Sequence, residues 1–108
     1  MRRHKMVNMI LLATNETGGP VEQVRIAVGG ITLFNLSTLA EGELSMPTVY
    51  NGPAGKHKWQ VWLVDENGKR RRGSAICSVE QTDHGSCALI ILHLADFIIS
   101  KGYRLAGC

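Results

Sequence analysis

The sequence predicts an α+β domain: about five mainly antiparallel strands in hairpin order, flat or curled toward a barrel, followed by one apolar C-terminal helix packed on the sheet. Three observations predict it. Runs of β-branched and apolar residues recur from Val7 to Val79, separated by glycine-rich breaks. The dipeptide Asn67-Gly68 lies between two such runs, where a tight hairpin turn needs residues that tolerate positive φ. The stretch after Ser86 is almost continuously apolar until Lys101-Gly102 closes it.

Val7 to Ala13 reads as the first strand, closed by the turn-rich cluster Asn15 to Pro20. Val21 to Val28 alternates, with Val24, Ile26 and Val28 on one face and Gln23, Arg25 and Ala27 on the other, so these two runs are expected to pair antiparallel. Gly29-Gly30 makes a bend or two-residue turn into Ile31 to Leu39. Glu41-Gly42-Glu43 then turns into Leu44 to Tyr50, where Pro47 marks an edge strand or a break.

The next element is a hairpin from Lys56 to Val79. A two-residue loop at Asn67-Gly68 sets Glu66 opposite Lys69, Asp65 opposite Arg70, Trp62 opposite Gly73 and Trp59 opposite Ile76. In that register both faces are greasy: Trp59, Val61, Leu63 and Ile76 on one, Trp62, Val64, Ala75, Cys77 and Val79 on the other.

Ser86 to Lys101 fits a helix with Asp83 or Ser86 as N-cap and Gly102 as its stop. His93, Asp96 and Ser100 fall on one narrow polar stripe, and the rest of the circumference asks for burial. A rival reading makes Ala88 to Leu94 a buried strand, because short apolar runs do not separate the two.

The chain has 108 residues, room for one domain over 1–108, with residues 1–5 as a mobile basic N-terminus. At 44% apolar and 19% charged it is too apolar for wholesale disorder. Its formal charge of +3 is a mild basic excess, short of the strongly basic stripe of a dedicated nucleic-acid binder. No apolar run approaches the roughly 20 residues of a membrane-spanning helix. Cys77, Cys87 and Cys108 form no Cys-x-x-Cys spacing and read as reduced thiols in a cytoplasmic protein.

Catalytic constellations are faint. His84 three residues before Cys87 has no third group to orient it, and His93 with Asp96 is a single pair. Asn51 to Lys56 fails the phosphate-loop pattern and reads as a flexible loop. No cofactor, metal or catalytic residue is assigned, and an enzyme is disfavoured.

Three functional readings remain. The first is a non-enzymatic interaction domain that self-associates, with Ile90, Ile91, Leu94, Phe97 and Ile98 at the subunit interface, or that takes a protein partner. The second is a nucleic-acid-binding module using Lys56, Lys58, Lys69, Arg70, Arg71 and Arg72. The third is a small-molecule or enzymatic pocket lined by Trp59 and Trp62.

Overall fold

The computed structural model describes residues 6–94 and 96–101; the basic segment 1–5, the helix stop at Gly102 and Cys108 lie outside them. Eight strands account for most of the described chain: β1 (Met6–Asn15), β2 (Val21–Val28), β3 (Ile31–Leu39), β4 (Thr48–Pro53), β5 (Gly55–Val64), β6 (Arg70–Val79), β7 (Cys87–Leu92) and β8 (Phe97–Lys101). They form two four-stranded sheets, ordered β4-β1-β7-β8 and β3-β2-β5-β6. Every pairing is antiparallel except β1 with β7. One apolar core lies between the sheets, making a β-sandwich.

This architecture corrects the α+β expectation. The described residues contain no α-helix, and the segment expected to be one is the β7–β8 hairpin, closed by the His93 N–H donating to the Asp96 carbonyl at 3.0 Å. The reason is burial on both faces. β7 lies between β1 and β8, with Ala88, Ile90 and Leu92 fully buried and Cys87 and Leu89 nearly so. Such a strand has no solvent-facing parity, so it runs apolar without alternation and imitates a buried helix. The rival strand reading of Ala88 to Leu94 was the better one.

Hairpin order fails at β1 and β2, which lie in different sheets rather than pairing. In β2, Val24, Ile26 and Val28 enter the core and Gln23 and Arg25 face solvent as expected, but Ala27, expected beside them, is buried where the β2–β3 register shifts. Gly29 and Gly30 hold φ of 59° and 84° in the two-residue turn that sets Val28 opposite Ile31. β4 starts only after Pro47 and forms a sheet edge, whereas Leu44 makes just an isolated bridge to Thr14. Asn51 to Lys56 is not a flexible loop but the crossing from β4 into β5, with Ala54 alone between them.

The β5–β6 hairpin is shifted by one residue from the expected register. Asp65 accepts the backbone N–H groups of Asn67 and Lys69, each at 2.9 Å, and the Gly68 N–H returns to the Asp65 carbonyl at 2.9 Å. Gly68, at φ 79°, completes a loop one residue longer than two. Trp62 therefore faces Arg72, and Trp59 faces Ala75. Since side chains alternate, that slip re-sorts one whole strand. Trp59, Val61, Leu63 and Val79 are buried in the core, while Lys56, Lys58, Arg70, Arg72, Ser74 and Ile76 are exposed on the outer face. The core face of the hairpin carries most of its apolar groups, and the outer face keeps Trp62, Val64 and Ile76.

Polar groups pin the sandwich ends. Asn15 is fully buried and satisfied: Nδ2 donates to the Gly19 and Leu39 carbonyls at 2.8 and 2.9 Å, and Oδ1 accepts from the Thr17 N–H and hydroxyl. Asp83 caps a single 3₁₀ turn (Gln81–Asp83) rather than a helix, accepting the Glu80 N–H at 2.8 Å and the Lys101 ammonium at 2.7 Å. Those contacts tie β8 to the link between the sheets.

Candidate anion-binding face

The outer face of the β3-β2-β5-β6 sheet carries the chemistry. Asn35, Arg25, Trp62 and Arg72 are successive register partners across all four strands, so they form one row perpendicular to the chain direction. The Arg25 guanidinium carbon lies 3.9 Å from the centre of the Trp62 ring. A cation over an aromatic face is held by the ring quadrupole, and the guanidinium's N–H donors lie in its own plane.

Around this row lies an open trough of about 810 Å³, whose lining includes Gln23, Arg25, Asn35, Trp62, Arg70 and Arg72. A second depression of about 330 Å³, lined by Lys58, Gln60 and Ser74, shares Trp62 and Arg72 with it. Among the described residues, Arg25, Arg70 and Arg72 have no carboxylate within ion-pair distance. Glu22, the register partner of Val64, is the one acidic residue in the β2 strand beside them. Gln23, at φ 50°, stands where the β2–β5 register shifts between Glu22 and Arg25. Non-glycine residues rarely adopt that conformation, and such irregularities recur at working sites.

The basic run does not act as a block. Alternation sends Arg70 and Arg72 to the outer face and Arg71 the other way, where its Nε donates to Asp65 Oδ2 at 3.0 Å. The Lys69 backbone N–H bonded to Asp65, with Arg71 and the Asn67 N–H, holds that carboxyl below its ordinary range against the opposing effect of burial. Lys69 lies in the turn. Lys56 and Lys58 sit on the outer face of β5, so four of the six basic candidates share a face with Trp62.

The two tryptophans part company. Trp59 is fully enclosed in the core with its Nε1–H unpartnered, so it cannot line an open pocket. Trp62 is half-buried at the trough. Sequence reasoning missed Arg25; the signal was its place opposite Val24 and Ile26 in an alternating strand. The interface candidates disperse as well. Ile90 is core, Phe97 packs against the core, Ile91 and Ile98 are register partners and Leu94 lies at the β7–β8 turn. Ile91 and Ile98 therefore share the face of β7 and β8 that points away from the core.

Other candidates change character. Cys77, half-buried in β6, carries a free thiol, and Cys87 is buried at the start of β7. His84 accepts the Asn8 N–H on Nδ1 at 3.0 Å. His93 and Asp96 belong to a strand turn rather than one helix face. Among the described residues no three His, Cys, Asp or Glu groups are placed to hold a metal, and no helix is long and apolar enough to cross a membrane.

An NMR structure of a protein from Eubacterium rectale superposes with a TM-score of 0.56 at 15% identity, covering 93% of each chain. At that identity the likeness concerns the fold alone. No protein-family model matches the sequence, and no curated protein matches it.

Proposed function

We propose that the protein is a non-enzymatic binding module that holds an extended anionic ligand across the outer face of the β3-β2-β5-β6 sheet. The observation that carries this reading is the set of guanidiniums of Arg25, Arg70 and Arg72 around Trp62, none of which has a carboxylate partner among the described residues. Guanidiniums form planar, bidentate hydrogen bonds with phosphate, sulfate or carboxylate. Arg25 is already ordered on the indole, so less side-chain entropy is lost when an anion docks. Lys56 and Lys58 extend the positive surface along β5.

Isothermal titration of the full chain with tripolyphosphate, heparin and polyglutamate tests the reading. At least one is expected to bind, with Arg25→Ala and Arg72→Ala each weakening it about fivefold or more. Lys69→Ala removes the same charge at the turn and is expected to change affinity less than twofold or so. Equal losses at all three positions, or no binding, would overturn the proposal.

A further inference from the structure

We infer that the anion held on this face is single-stranded nucleic acid, an inference that rests on the anion-binding reading above and names its ligand. The trough provides for bases and phosphates together. A flat heterocycle stacks on an aromatic ring or a guanidinium plane, and Arg25 lying over the Trp62 ring presents its outer side in the middle of the face. Base edges present donors and acceptors, and the amides of Gln23 and Asn35, which line the trough, supply both.

Phosphates need cations that no carboxylate already neutralises. Arg70 and Arg72 stand two residues apart on β6, as do Lys56 and Lys58 on β5. Two strand residues advance about 6.6 to 6.8 Å, near the phosphate repeat of an extended single strand. From Lys56 to Val64 the face runs about 27 Å, enough for some four nucleotides. Duplex DNA keeps its bases stacked inside a stiff cylinder, where a sheet-borne tryptophan does not reach them. An acidic polysaccharide offers charge and hydroxyls but no planar ring for the Arg25–Trp62 stack.

Fluorescence anisotropy with labelled oligothymidylate and oligouridylate of about six nucleotides, competed by duplex and by heparin, tests this. The single strands are expected to bind the full chain with a log–log salt slope of about −2 to −4, and the duplex about tenfold more weakly. Trp62→Leu is expected to weaken single-strand binding about 5- to 150-fold, with Trp62→Phe recovering most of it. Arg25→Lys, which keeps the charge but not the plane, is a second probe should Trp62→Leu fail to fold, and is expected to cost several-fold. Heparin binding as tightly as the oligonucleotides, with Trp62→Leu and Arg25→Lys unchanged, would sink the nucleic-acid ligand and leave the anion-binding face. Failure of every polyanion to bind would sink both.

Discussion

Arg71 donates from Nε to Oδ2 of Asp65 at 3.0 Å, and that single contact splits four consecutive basic residues into different roles. Arg71 buttresses the hairpin turn, while its neighbours Arg70 and Arg72 stay available to solvent. The same carboxylate accepts the turn's backbone N–H groups, so its charge is used by the fold.

Asp65 should therefore make stability fall in acid. Its folded pKa lies below the ordinary value of 3.8, so its contribution is complete above that value and is lost as pH drops through the lower, folded one. Urea unfolding of Asp65→Asn against the parent is expected to show a lower midpoint at neutral pH, with the gap closing as the pH falls below the ordinary carboxylate range. A gap that stayed constant would remove the carboxylate from the turn's energetics.

Tyr50 sets the alkaline limb. Burial raises its pKa above 10.0, and its hydroxyl donates to the Pro53 carbonyl at 2.8 Å. The unfolded chain ionises first, so stability is intact below about pH 10 and declines as pH rises through the folded value. Absorbance titration should show a tyrosine ionising late, and Tyr50→Phe should lose it and flatten the alkaline decline.

The two tryptophans should separate in unfolding experiments. Trp59→Ala leaves a core cavity and is expected to cost about 3 to 5 kcal/mol. Trp59→Phe should cost less than about 1.5 kcal/mol, because it also removes an N–H that finds no acceptor. Trp62→Ala should cost less than about 1 kcal/mol, since its ring is partly solvated. Chemical denaturation of the three variants gives the comparison, and equal losses at both positions would contradict the assigned faces.

Asn15→Ala is expected to cost about 2 to 4 kcal/mol by removing a donor from the buried Leu39 carbonyl and leaving the Gly19 carbonyl to the Thr17 hydroxyl alone. Asn15→Asp should be worse at neutral pH, because it sets a buried oxygen against both acceptors. Thermal melts at neutral pH would show that ranking, and a milder aspartate variant would contradict it.

Much of the strand content was legible because β2 and the outer strands have one wet face. Val24, Ile26 and Val28 against Gln23 and Arg25 announce a strand, and Gly29-Gly30 announces its turn. β7 was not legible as a strand, because Cys87 to Leu92 has no wet face to mark alternation. The hairpin register was lost over one side chain: Asn67-Gly68 suited a two-residue turn, but the Asp65 carboxylate bonds Asn67 and Lys69 and favours a longer loop. That residue decided whether Trp62 met Gly73 or Arg72. The row of Asn35, Arg25, Trp62 and Arg72 also depends on β2 lying beside β5, a tertiary fact no local pattern in either strand contains.

The parallel pairing of β1 with β7 bears on how the molecule is made. β1 is synthesised before β7, its parallel neighbour, so the hydrogen-bonding edge of Ile10 to Asn15 stays open until that strand arrives. Vectorial synthesis thus delays closure of this sheet. The β2, β3, β5 and β6 strands can assemble first, so the face bearing Arg25 and Trp62 is able to form on the nascent chain before its sister sheet is closed.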